Sequence, residues 1–313
     1  MRWMLLLAGV ALAALAAPLR ADPETLALQP QRLAEGVYHV AGRHAVWGPA
    51  NHGHVANSGF VVGERCIAVI DGGGSPTAGR ALLEAVRRTS ALPVCYVIST
   101  HAHPDHVLGN AAFVDAATQF VGHHRLAAAL AARGPFYLNV LRRDFDLADR
   151  LDAVVMPTVA VETTRELDLG GRTLELRAWP TAHTDNDLTV LDRRSGTLWL
   201  GDLVFIGHLP VLDGRLRGWR AVLDTLRAWQ PVRAVPGHGP VIVDWPAGMV
   251  PTATYLKQLE TEVRGALREG LTLAEAVERL GAAPASRLAG WQLGDDFHRR
   301  NLTAAYAELE WSE

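Results

Sequence analysis

Apolar positions along this chain recur with two periods, and the two alternate. Short runs dense in Val, Ile and Leu, bounded by Gly, Pro or Asp, read as strands: Val37 to Ala41, Gly59 to Val62, Cys66 to Ile70, Val94 to Ser99 and Gln119 to Gly122. Between the third and fourth, Ser75-Pro76 is an N-cap followed by proline at the first helical position, and Thr77 to Arg88 repeats its apolar residues at helical spacing. A second helix is predicted from Val107, turning Ala111, Ala112 and Phe113 inward. Arg125 to Arg150 reads as a helical insertion interrupted at Gly134-Pro135. Strands resume at Val159 to Val161, Glu166 to Leu169, Thr173 to Ala178, Leu188 to Leu191 and Thr197 to Leu200, with hairpin turns at Gly170-Gly171 and Arg194-Ser195-Gly196. Trp219 to Trp229 is an amphipathic helix, Ala234-Val235 a short strand, and the chain beyond Trp245 is helical with interruptions at Pro284 and Gly294. Two halves of strands with helices give an α/β protein and fit a sandwich of two sheets with helices outside and a helical C-terminal extension, a topology that periodicity alone does not select.

The first residues stand apart from this pattern. Arg2, the apolar run Leu5 to Ala17, the break at Pro18 and a candidate cleavage site at Leu19-Arg20-Ala21 have the three-part layout of an export signal. The expected organisation is therefore a signal peptide over 1–21, a main domain over 22–245 and the extension over 246–313. The expected location is periplasmic or secreted, with no membrane attachment after cleavage. A formal charge of −3 with no basic run excludes the electrostatic footprint of a nucleic-acid binder. The two cysteines, Cys66 and Cys95, form no C-x-x-C pair, which excludes a Cys-rich zinc module.

Candidate chemistry is concentrated in Thr100-His101-Ala102-His103-Pro104-Asp105-His106, directly after a buried-type strand. Neither helix nor strand spacing would gather these four donors, but a loop at a strand end can wrap them around one point, and imidazole and carboxylate are donors that zinc takes. His183, Asp202 and His238 each follow a further strand-like run. A lone histidine after a strand is usually an ordinary surface or hydrogen-bonded residue; delivery of metal-type donors by four strand ends is a far stronger signal. His123, His124, His39, His44 and His298 are read as ordinary, Trp179, Trp199 and Trp229 as core, and His52, His54 and His208 as equally suited to a cleft mouth or to packing.

The order H-x-H-x-D-H, a distant His, Gly-Asp and Gly-His resembles the metallo-β-lactamase superfamily over roughly Val37 to Val243. The resemblance implies an αββα sandwich and a small-molecule hydrolase in which metal-bound hydroxide attacks an ester, thioester, lactone or lactam. It implies one zinc on His101, His103 and His183, a second on Asp105, His106 and His238, and Asp202 bridging both; iron or manganese are alternative metals. Asp105 is also assigned a catalytic part, orienting the nucleophile, and Asp71 a supporting one behind the metal loop. Asp at position 202 is similar to the glyoxalase II, lactonase, phosphodiesterase and ribonuclease branches rather than to true β-lactamases. Trp47 to Asn51, Ala56 to Phe60 and Gly207 to Gly214 also resemble exported quinoprotein relay system zinc metallohydrolases, which implies a functional link to a quinoprotein dehydrogenase and PQQ-dependent alcohol oxidation.

Two rival readings use the same residues: an iron enzyme like the persulfide dioxygenases, and a non-catalytic metal-binding accessory protein. The 125–150 insertion and the Phe205 to Arg217 loop are expected to frame the cleft, with Arg215 and Arg217 as candidates for a substrate carboxylate. Cys66 lies five residues before Asp71 and Cys95 five before Thr100, so parallel neighbouring strands ending together would set the thiols opposite one another. A disulfide and a packed pair of thiols are both open at this point.

Overall fold

A computed structural model describes residues 26–281, 288 and 290–311. The expected signal peptide and the Pro284 interruption lie outside the described residues.

The first sheet is a run of neighbours in chain order: β1 (Gln31–Ala34), β2 (Val37–Val40), β3 (Ser58–Val62), β4 (Ile67–Ile70), β5 (Val94–Ile98), β6 (Gln119–His123) and β7 (Val159–Val161). Its first four strands form an antiparallel meander; from β4 onward the pairing is parallel, so those strands end along one edge. The crossover from β4 to β5 is α1 (Pro76–Thr89), where Ser75 caps the Ala78 N–H at 3.1 Å and Pro76 occupies the first turn as the sequence predicts. After β5 comes a single helical turn, α2 (Pro104–Val107), and after β6 comes α3 (Leu126–Asp144).

The second sheet, ordered β12-β11-β10-β9-β8, contains β8 (Thr164–Asp168), β9 (Thr173–Ala178), β10 (Leu188–Asp192), β11 (Thr197–Phe205) and β12 (Arg233–His238). Gly170 and Gly171 both take positive φ, 84° and 59°, which closes the β8–β9 hairpin as expected. α4 (Leu216–Arg227) connects β11 to its parallel neighbour β12. The extension then folds as α5 (Val250–Arg268), α6 (Leu273–Gly281) and α7 (Gly294–Leu309).

The facing surfaces of the two sheets share one core, in which Val61, Ala68, Ile70 and Ile98 of the first meet Leu174, Leu176, Val190 and Trp199 of the second. α4 to α7 pack on the outer face of the second sheet, where Trp219, Leu223, Leu256, Leu259 and Leu302 join Leu198 and Leu200 in a second core. The chain is thus the expected αββα sandwich with C-terminal helices. Among the described residues no helix is long and apolar enough to cross a membrane.

Several local expectations change. The helix foreseen from Val107 is one α turn followed by a 3-10 segment, Leu108–Phe113, because Gly109 packs its backbone directly on the Gly72-Gly73 turn and donates to the Gly73 carbonyl at 2.7 Å. Phe113 is buried there, but Ala111 and Ala112 are only half-buried. Gly134-Pro135 does not interrupt α3. The buried stripe Leu126, Leu130, Gly134, Tyr137, Val140 and Leu141 continues through it, while Pro135 faces solvent. Packing of that stripe offsets a proline cost of about 3 kcal/mol. β11 does not stop at Leu200. It runs on to Phe205 through register shifts at Gly201, so Asp202 sits inside a strand at a bulge.

Cys66 and Cys95 form a disulfide with a Cα separation of 5.8 Å, but the strands are not aligned as the spacing suggested. Ile67 pairs with Val94 and Ala68 with Tyr96, which leaves Cys95 as the extra residue of a bulge. That extra residue turns the Cys95 side chain to the inter-sheet face that Cys66 already occupies.

Candidate metal centre

Strand ends of both sheets meet at one edge of the sandwich. β5 leads into the loop carrying His101, His103, Asp105 and His106; β9 leads to His183; β11 carries Asp202; β12 ends on His238. All seven predicted residues come together there, in two groups whose donor atoms lie within 4.8 Å of one another: His101, His103, His183 and Asp202, and Asp105, His106 and His238.

Asp202 stands between the groups and divides its oxygens. Oδ2 lies 3.6 Å from His101 Nε2 and 3.4 Å from His183 Nε2, while Oδ1 lies 3.2 Å from His106 Nε2 and 3.5 Å from His238 Nε2. Asp105 Oδ2 closes the second group at 3.4 Å from His238 Nε2 and 3.6 Å from His106 Nε2. The glycine before His238 has a steric reason: a Cβ at position 237 would collide with Asp202 Oδ1.

Every imidazole is tied from behind. His106 Nδ1 donates to Asp71 at 2.8 Å, His183 Nδ1 to the Val211 carbonyl at 2.6 Å, His238 Nδ1 to the Val55 carbonyl at 3.0 Å, and His103 Nε2 to Asp213 at 2.9 Å. His101 Nδ1 donates to Thr100 Oγ1 at 3.1 Å, and that hydroxyl donates to Asp71 at 2.9 Å. Asp71 also accepts the Thr100 N–H at 2.8 Å, and it holds this post with φ of 55°, a left-handed conformation that is costly for a residue bearing a Cβ. With the outer nitrogens committed as donors, the inner ones are lone pairs.

A cation fits these lone pairs. His101 Nε2, His106 Nε2 and Asp202 Oδ1 are buried without a hydrogen-bond partner, and His103 Nδ1 faces His183 Nε2 at 3.1 Å. Two such nitrogens around one tetrahedral zinc would stand about 3.3 Å apart. The field of Asp105 and Asp202 likewise favours positive charge on their side of the site, whether a cation or a proton supplies it. Burial opposes charge on His238, yet Asp202 and Asp105 raise it to about 9; burial likewise opposes charge on Asp105, but His106 and His238 hold its carboxyl at about 2. In His183, burial prevails over Asp202 and lowers the ring to about 3.

The metallo-β-lactamase superfamily model matches residues 53–238. This chain belongs to that superfamily. Similar solved structures include a metallo-β-lactamase from Pontibacter korlensis, at 21% identity and TM-score 0.59, with 74% of this chain and 99% of that one covered. The metallo-β-lactamase TMB-1 aligns at 16% identity and TM-score 0.57 over 74% of this chain and 98% of its own. The inverting sec-alkylsulfatase Pisa1 from Pseudomonas sp. aligns at 17% identity and TM-score 0.63, covering 91% of this chain and 50% of that one. No curated protein sequence matches. Superfamily membership and the His/Asp cluster make this chain a metal-dependent hydrolase with a divalent-metal site.

Above the donors opens a cavity of about 460 Å³. The expected frame holds in part: α3 contributes Ala132, Arg133, Phe136 and Tyr137, and the loop after β11 contributes His208 and Val211. Arg215 and Arg217 are exposed outside the cavity, whereas Arg133 and, from α7, Phe297 and Arg300 line it. Of the three histidines left open, His208 lines the cavity and stacks on His238 at 4.7 Å between ring centroids; His54 is buried against the Ala41 carbonyl. Asp213, Arg300 and Asn301 are the residues sequence reasoning missed. Buried Asn301 of α7 donates to the Pro210 carbonyl at 2.6 Å and accepts the Leu212 N–H at 2.9 Å. It thereby pins the loop that supplies the Val211 carbonyl to His183 and Asp213 to His103. Nothing local marks these residues; Asp213 becomes relevant by meeting His103 and Arg133, and Arg300 and Asn301 by α7 folding back on the loop.

Proposed function

We infer that this chain is an exported binuclear zinc hydrolase of a small ester, thioester, lactone or lactam. The observation that carries this reading is Asp202, whose two oxygens face two separate sets of imidazole lone pairs beneath one substrate-sized cavity. His101, His103 and His183 would hold one zinc, Asp105, His106 and His238 the other, with Asp202 shared. Bound zinc supplies a hydroxide nucleophile near neutral pH and Lewis acidity toward the acyl oxygen.

The chain's own groups do the rest. Asp105 reaches the cavity as a carboxylate and can accept a hydrogen bond from the attacking water, fixing its direction. Val46, Trp47, Phe136 and Phe297 give the cavity apolar walls on which a nonpolar part of the substrate can rest. Hydrolysis adds water across the acyl bond: the new C–O bond forms as the bond to the leaving oxygen, sulfur or nitrogen breaks, and the leaving atom takes a proton. The disulfide is consistent with an oxidising compartment and so supports export. A link to quinoprotein-dependent alcohol oxidation remains part of this proposal, resting on the sequence resemblance.

The test is elemental analysis of the mature protein with a screen of chromogenic esters, thioesters, lactones and β-lactams. Two zinc ions per chain and chelator-sensitive hydrolysis are expected. A single iron per chain would transfer the protein to the oxygenase reading, and full metal with no turnover of any class would leave an accessory role.

A further inference from the structure

The cavity wall carries charge that the metal centre does not use. Arg133 of α3 donates to Asp213, and Arg300 of α7 places a guanidinium nitrogen 3.6 Å from the other oxygen of the same carboxylate. Asp213 already accepts His103 Nε2 at 2.9 Å. Two guanidinium charges therefore face one carboxylate, leaving one net positive charge on the wall. Both arginines line the cavity, and their side chains keep 37% and 53% exposure, so they retain donors toward its interior. Tyr137 stands beside Arg133 in the same wall. The surrounding surface is apolar, from Val46, Trp47, Phe136 and Phe297.

We propose that Arg133 and Arg300 form a carboxylate-recognition subsite, so that the preferred substrate joins an apolar body to a carboxylate close to the bond being hydrolysed. Closeness follows from His103, which is the spacer: one ring nitrogen faces the donor cluster and the other holds Asp213. A fork of N–H donors matches a carboxylate geometrically, and the apolar wall around it strengthens the contact. This deepens the hydrolase reading and rests on it. It also gives the C-terminal helices a role in selectivity, since Arg300 and Phe297 both come from α7.

The experiment uses metal-loaded protein and two readouts. The first is binding of 3-phenylpropanoate against its uncharged amide, by calorimetry. The second is kcat/KM for a matched pair of aryl-substituted lactones, one neutral and one bearing a ring carboxylate. Wild type should favour the charged member of each pair. Arg300→Ala and Arg300→Gln should each reduce that preference by roughly ten- to a hundred-fold, the range of a charge-assisted hydrogen bond. Arg217→Ala, outside the cavity, should leave it intact. Equal affinity for 3-phenylpropanoate in wild type and both Arg300 variants would place the carboxylate elsewhere, on the metals included, and overturn the subsite. Absence of turnover for both lactones, and for every ester, thioester and β-lactam of the screen, together with an Arg300-dependent binding preference would instead strike the hydrolase reading and leave the subsite standing.

Discussion

The floor and the wall of the cavity are built differently. The floor consists of donors on strand ends and tight loops, all but His103 and Asp105 almost wholly buried, with each imidazole fixed by a partner behind it. The wall consists of helical surface: α3 and α7 offer long, partly exposed side chains, and Phe136 keeps 65% exposure. A buried, pre-tied floor loses little freedom when a cation binds, so it suits chemistry that must not vary. A wall of exposed side chains on helices can change its residues without disturbing the sheets, so it suits selection among substrates. The two regions meet at Asp213, which holds a floor imidazole with one oxygen while facing both wall arginines.

This contrast can be broken most severely at the floor. Asp202→Ala should reduce hydrolysis to background and lower metal content toward one ion or none, because one carboxylate serves both groups. Full turnover with two bound ions in that variant would remove Asp202 from its assigned place. Asp71→Ala should weaken metal binding by roughly ten- to a hundred-fold without touching a donor, since it strands the Thr100 N–H and the His106 Nδ1–H. Competition with a fluorescent chelator reads this directly, and unchanged affinity would show that the loop needs no such support.

Stability offers the next comparison. The disulfide ties β4 to β5, the strands leading to Asp71 and to the metal loop, and closes 29 residues. Replacing both cysteines by alanine should cost about 2–4 kcal/mol in denaturant unfolding of the metal-loaded protein while leaving kcat near wild type. A collapse of kcat at full occupancy would mean that the bridge shapes the floor as well as stabilising it. Asn301→Ala should cost about 1–3 kcal/mol, because the buried Leu212 N–H loses its acceptor. It should also weaken metal binding, through the loop that supports His183 and His103. Loss of stability with unchanged metal affinity would separate α7 from the centre.

The smallest effect belongs to the wall. Phe136→Ala should raise KM for apolar esters by about threefold to tenfold, in proportion to the apolar area it offers, with kcat little altered. A fall in kcat instead would give α3 a part in the chemistry.

The sequence by itself picked out the seven candidate donors, because donors crowded into one loop and repeated at later strand ends leave a pattern that a short window can detect; the supporting Asp71 came with the family resemblance. Periods of two and of 3.6 residues, being local properties, also gave most of the strands and helices, while the αββα stacking followed from the family resemblance. The sequence pattern misjudged what depends on partners. Pro135 predicts a break that the buried stripe of α3 overrides, and the Asp71–Thr100 alignment misses the bulge that brings Cys95 to Cys66. Only the tertiary structure could reveal Asp213, Arg300 and Asn301 as neighbours of the site. Each is an ordinary polar residue in its own segment: Asp213 gains its role when the loop after β11 meets His103 and Arg133, and Arg300 and Asn301 gain theirs when α7, distant in sequence, packs against that loop. Metal-type donors announce themselves by type and spacing; a carboxylate shared by two helices and an imidazole exists only once the chain has folded.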